Sequence, residues 1–158
     1  MQITPGKLSG LKAVANSLGV IAAAAMDQRG SLKKTLGKEK GAEVTDAMME
    51  EFKSAVTEVL TQHASAILLD PEWGLDAAKK RASNAGLLLA YEPSGYDNTR
   101  PGRRPDLLDV WSVRRLKEVG ADCVKLLLYY TPFEQVSINS EKHAFVERIG
   151  DECRSIEL

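Results

Sequence analysis

Histidine is nearly absent from this sequence: His63 and His143 are the whole supply of imidazole in 158 residues. Both fall in helical patterns away from any strand end, which argues against a histidine-based zinc site and against a Ser-His-Asp triad. Cysteine is as scarce. Cys123 and Cys153 lie far apart, without CxxC spacing, and read as buried thiols of a cytoplasmic protein rather than as a disulfide. Long apolar runs are missing too, since none approaches the roughly 18–20 residues of a membrane span. Residues 1–20 lack the charged start and long apolar core of a signal peptide. Charge of one sign is also lacking. A net charge of −1, with basic residues interleaved among acids, gives no electrostatic case for nucleic acid or an anionic membrane.

What is present suits one domain with a real core, at 44% hydrophobic and 27% charged residues. Four short apolar runs recur: "GVIAAAAM" (Gly19–Met26), "SAILLD" (Ser65–Asp70), "GLLLAYE" (Gly86–Glu92) and "DCVKLLLYY" (Asp122–Tyr130). They are continuous rather than alternating, as parallel strands covered on both faces require. Between them the period is helical. Met48, Phe52, Val56, Val59 and His63 share one face after a Thr45 cap, and Val146, Ile149, Cys153 and Ile156 form a later stripe. Shorter helices are expected over Leu75–Ser83 and Ser112–Val119, and one more near Lys7–Ser17. Strands alternating with helices imply right-handed crossovers and a parallel sheet, either doubly wound or a (β/α)8 barrel. The first strand-to-helix turn reads "MDQRGSLKK" and carries neither GxGxxG nor GxxxxGK[ST], which counts against nucleotide-binding folds.

Asp27, Asp70 and Glu92 each stand at the carboxyl end of a strand, where parallel α/β folds build their sites. An acid there can instead cap the next helix, an alternative that stays open for Asp70 before Pro71. Asp27 arrives together with Gln28 and Arg29. Lys125 sits inside an apolar strand, on the face of Cys123, Leu127 and Tyr129. It must either snorkel to water from an edge strand or meet a carboxylate, with Asp27 the candidate partner. The loop from Glu92 to Trp111, rich in Gly, Pro and Arg, can cover a mouth and contact an anionic substrate or be a plain surface excursion.

Together "AMDQRGSLKK", "AILLDPEWGL", "GLLLAYEPSGYD", "DLLDVWSVRRLKEVGAD" and "VKLLLYY" resemble the tagatose 1,6-bisphosphate aldolase family. Its members are class I aldolases on (β/α)8 barrels, and the match runs in register from about Gly19 to Cys153. The resemblance implies an aldehyde-lyase of cytoplasmic lactose and galactose catabolism. Its substrate is a phosphorylated ketose, D-tagatose 1,6-bisphosphate, cleaved to dihydroxyacetone phosphate and glyceraldehyde 3-phosphate. A lysine forms a Schiff base with the substrate ketone and a carboxylate handles the hydroxyl proton, with no metal and no cofactor. Carried over residue by residue, Asp27 and Lys125 belong to the catalytic neighbourhood. Gln28 and Arg29 match the polar pair beside that acid and are expected to bind substrate, with Glu92 beside them. Arg29 suits phosphate through its planar fork.

The family's Schiff-base lysine lies on the sixth strand and its main proton-transfer glutamate on the fifth. Residues 1–158 are therefore expected to form the amino-terminal half, (β/α)4, of a single TIM (β/α)8 barrel domain. The carboxyl-terminal half is absent from this chain, and the isolated chain should be inactive. Such a half leaves open strand edges that another chain or the missing half must cover. Two other readings accompany this one. One is an aldolase of the same barrel type acting on another ketose phosphate, such as sulfofructose phosphate or fructose 1,6-bisphosphate. The other is a non-catalytic half-barrel that binds sugar phosphate or a partner chain.

Overall fold

The computed structural model describes residues 3–96 and 99–158; Asp97 and Asn98, inside the long loop after the third strand, lie outside the described residues. The element order is α1 (Pro5–Val14), β1 (Ala23–Met26), α2 (Gly30–Lys40), α3 (Asp46–Leu60), β2 (Ala66–Leu69), α4 (Leu75–Lys79), β3 (Gly86–Ala90), α5 (Val113–Glu118), β4 (Cys123–Lys125) and α6 (Val136–Ser155). All three strand pairings are parallel, and the sheet order is β1-β2-β3-β4. A doubly wound sheet reverses direction at a switch point, which this order does not. The fold is (β/α)4, the sequential arrangement of half a TIM barrel.

Register assigns each strand residue to a face. Ala25 pairs with Leu68, Leu68 with Leu88, and Leu88 with Cys123. One layer further on, Ala90 pairs with Lys125. The opposite face carries Ile67, Leu69, Leu87 and Leu89, all buried, which pack with Ala77, Leu116, Phe145 and Ile149 from the helices. Each fully buried leucine or isoleucine stabilises the fold by about 1.5–3 kcal/mol, so this helix-facing layer is the energetic core. The other face is barer: Ala23 and Ala25 are exposed, while Leu68 and Leu88 are half-buried.

At the amino-terminal end of the sheet that barer face is closed by α1. A Cβ on Gly86 would stand 2.4 Å from the Ala13 carbonyl oxygen, and one on Gly10 would stand 2.4 Å from that of Asp122. Glycine at both places lets the helix backbone rest directly on β3 and β4. Ser65 adds a clamp, donating to the Val14 carbonyl at 2.7 Å and accepting from the Ala22 amide at 2.8 Å.

Three expectations need correction. The first and fourth strands are shorter than the apolar runs that encode them. Residues 16–20 form a turn in which the Asn16 side chain accepts the Leu18 and Val20 amides at 2.9 and 3.0 Å. Beyond Lys125 the β3 partner has ended, and the last ladder bond is Tyr91 N–H to the Lys125 carbonyl at 3.0 Å. Secondly, two helices separate β1 from β2. Helix α2 buries no side chain, so it left no apolar stripe in the sequence to reveal it. Thirdly, the buried stripe of α3 is Met49, Lys53 and Thr57. Val59 is 65% exposed, and Met48 and Phe52 instead face Leu36 and Val44 around α2.

Candidate active site

The carboxyl ends of the four strands deliver their polar residues to one place. Asp27 follows β1 directly, Asp70 follows β2, Glu92 lies two residues past β3, and Lys125 is the last residue of β4. Lys125 points to the face shared with Ala90 and donates to Asp27 Oδ2 at 2.9 Å and to Glu92 Oε1. Its ammonium is thus shared between two carboxylates. Burial alone would push the Lys125 pKa down. The hydrogen bonds and charges of Glu92 and Asp27 outweigh that, and the net shift is upward.

Arg29 ties the first loop to the third. Its Nη2 donates to the Glu92 carbonyl at 2.8 Å, and its Nε lies 3.9 Å from Asp70 Oδ2. The side chain is 7% exposed. Gln28 is exposed at the rim. Asp27, Gln28, Arg29, Glu92 and Lys125, the five site residues expected from the sequence, line one cleft of about 160 Å³ together with Ser31. Two buried atoms at this site, Glu92 Oε2 and Arg29 Nε, make no hydrogen bond among the described residues. Buried polar atoms are nearly always satisfied, so these two are the groups to which a ligand hydroxyl or anion can bond.

Asp70 has a structural role as well as a strand-end position. Its Oδ2 accepts the Glu72 and Trp73 amides at 3.1 and 2.8 Å, closing the turn ahead of α4. Its Oδ1 meets Lys53, whose Nζ also donates to the Met26 and Gln28 carbonyls, each at 2.8 Å. Lys53 and Asp70 side chains are fully buried. Those two carbonyls flank Asp27, so Lys53 fixes the backbone on both sides of the acid that faces Lys125. Lys53 is almost invisible in the sequence. It stands among Glu50, Glu51 and Glu58 on a helix whose charges read as a solvated face, and a four-residue step from Met49 to Lys53 to Thr57 was the only trace.

Chemically the cluster is suited to holding and exchanging protons around a hydroxylated anion. A doubly paired ammonium is a strong hydrogen-bond donor and a poor nucleophile, because only a neutral amine attacks a carbonyl. The carboxylates beside it can accept a hydroxyl proton. Among the described residues no group of three or more His, Cys, Asp or Glu side chains gathers to hold a metal, and no helix is long and apolar enough to cross a membrane.

Comparison with known proteins gives this site its context. Tagatose 1,6-diphosphate aldolase 2 of Enterococcus faecalis is 54% identical over 158 residues, which is 100% of this chain and 47% of that protein. Tagatose 1,6-diphosphate aldolase of Listeria monocytogenes serotype 4a is 52% identical over the same length, covering 46% of that protein. The namesake from Streptococcus pneumoniae serotype 4 is 51% identical over 153 residues, 97% of this chain and 47% of its own. The chain therefore spans about half the length of the curated relatives it matches. A family model described as DeoC/LacD family aldolase matches residues 21–158. That match takes in all four strands and every residue of the cleft, and the chain belongs to the DeoC/LacD aldolase family.

Proposed function

We propose that this chain forms the amino-terminal side of a class I aldolase site that cleaves a ketose bisphosphate, D-tagatose 1,6-bisphosphate, into two triose phosphates. The reading rests on one observation above others, the Lys125 ammonium held between Asp27 and Glu92. In this reading Lys125 stays charged and donates to a substrate hydroxyl or phosphate oxygen. Asp27 and Glu92 take up or return the hydroxyl proton during carbon–carbon cleavage, and Gln28 and Arg29 contact the sugar. The nucleophilic lysine belongs to a part of the barrel outside these 158 residues. The similarity to tagatose 1,6-diphosphate aldolases supports the substrate assignment, and our reading assigns the enzyme to the cytoplasm and to lactose and galactose breakdown. The strand edges at β1 and β4 are covered by the remainder of the barrel or by another chain.

Borohydride reduction in the presence of dihydroxyacetone phosphate, followed by peptide mass spectrometry, tests the assignment. The 158-residue chain should carry no adduct, and a form extended to the length of the relatives should carry one on a lysine beyond Leu158. An adduct on Lys125 would show that it is the nucleophile and would overturn the role given to it here.

A further inference from the structure

A second polar cleft, of about 440 Å³, lies beyond the end of β4 and is not accounted for by the Asp27–Lys125–Glu92 cluster. Its walls include Arg103 from the loop after β3, Tyr129 and Tyr130 after β4, and Glu134 and Lys142 from the segment that begins α6. Lys142 is only 2% exposed. Among the described residues its ammonium has neither a hydrogen bond nor an ion pair. The stem is buried while Nζ itself keeps access to the cleft, so the charge is presented there without a protein partner.

Arg103 repeats the pattern. Of the three arginines in this loop, Arg104 grips Glu141 through two bonds, at 2.5 and 3.0 Å, and Arg100 lies 3.8 Å from the same carboxylate. Arg103 turns the other way. Its backbone takes φ 46°, a left-handed conformation that side-chain-bearing residues avoid. Its guanidinium lies 5.1 Å from the ring centre of Tyr96 and 5.2 Å from that of Tyr129. The two rings brace each other edge to face at 4.8 Å. Stacking of this kind holds the guanidinium in place while leaving its N–H edges free to donate.

Among the described residues, two cations without an ion pair thus face one cleft whose only acidic lining residue is Glu134. Tyr129 and Tyr130 also line it, the Tyr130 hydroxyl lying 3.1 Å from His143 Nε2. We propose that this cleft binds a phosphate-class dianion through Arg103 and Lys142, either inorganic phosphate or the phosphate end of a small ester. Tyr129 is four residues past Lys125, at most about 14 Å of extended chain, so the site adjoins the carboxylate cluster without sharing a residue with it. The inference does not depend on the aldolase reading, because it concerns anion binding by residues outside that chemistry.

The 158-residue chain is titrated by calorimetry with inorganic phosphate and separately with glycerol 3-phosphate, at constant ionic strength with chloride as control. Saturable one-to-one binding is expected. Lys142→Met and Arg103→Ala should each weaken it by roughly tenfold or more, the loss of a charge-assisted hydrogen bond. Lys38→Ala, at an exposed lysine of α2 outside both clefts, should leave it within about twofold. Arg103 is exposed, so its truncation spares the fold and keeps the test valid if Lys142→Met is unstable. Equal affinities for the two ligands assign the cleft to free phosphate, and tighter binding of glycerol 3-phosphate assigns it to an ester; either supports the site. Absence of saturable binding overturns the proposal. So does binding lost in Lys38→Ala and retained in Arg103→Ala.

Discussion

Replacing Lys53 by methionine keeps most of the side chain's length and bulk and removes only its charge. The substitution leaves Asp70 fully buried with the Glu72 and Trp73 amides and a distant Arg29 Nε as its remaining partners. It also releases the Met26 and Gln28 carbonyls. Breaking a buried pair by removing one partner costs about 3–5 kcal/mol, a large share of the 5–15 kcal/mol that typically separates folded from unfolded states (roughly a third). With a urea m-value of about 2 kcal/mol per molar, the denaturation midpoint should fall by roughly 2 M. Lys53→Met/Asp70→Asn removes both charges and should recover part of the loss, giving a coupling energy of about 1–3 kcal/mol. The same variants should disturb the Lys125 ammonium signal in NMR, because the backbone around Asp27 is no longer pinned. A Lys53→Met midpoint within 0.5 M of the parent (about 1 kcal/mol), with an unchanged Lys125 signal, would refute the positioning argument.

Other outcomes follow from the same geometry. Lys125 has a pKa raised above its ordinary 10.5, so its stabilising contribution is complete below that unfolded value and is lost as pH climbs through the folded value. Urea midpoints measured from pH 8 to 11 should therefore decline more steeply for the parent than for Lys125→Met. Gly86→Ala would drive a Cβ to 2.4 Å from a backbone oxygen of α1; a loss of about 1–3 kcal/mol is expected in thermal or urea unfolding. Burial pushes the thiols of Cys123 and Cys153 up from the usual range, and both are unpaired. Ellman's reagent at pH 7.5 should label them slowly in the folded chain and fast in denaturant.

Much of the fold could be read from residue order because each apolar run was bounded by turn chemistry and followed by a helix, and sequential strand order is what short right-handed crossovers produce. Asp27 and Lys125 were legible for a related reason: a charge inside or at the end of an apolar strand is conspicuous. Lys53 was not. A buried lysine on a helix looks the same in sequence as a surface one, and only the neighbouring strand ends, distant in sequence, distinguish them. The α3 stripe was misread because two helices compete for its sides. Met48 and Phe52 face α2, while Met49, Lys53 and Thr57 form the buried stripe and Lys53 reaches the strand ends. Arg103 and Lys142 were hidden by the same limit, since their meeting depends on how the long loop after β3 folds back toward α6.

Helix α1 precedes in the chain every element it rests on. Its resting place is built from Gly86 of β3 and Asp122 at the foot of β4, and its start is fastened where the Gly6 amide donates to Glu157 at 2.7 Å. During synthesis at about 5–20 residues per second, the helix emerges roughly 8–30 s before the last of those contacts exists. For that interval Gly10 and Val14, the buried residues of α1, have no docking surface, and a ten-residue helix is marginal on its own in water. Closure of the sheet's amino-terminal end is consequently a long-range event that slows folding. A chaperone that shields short apolar segments near the ribosome exit would find a client here.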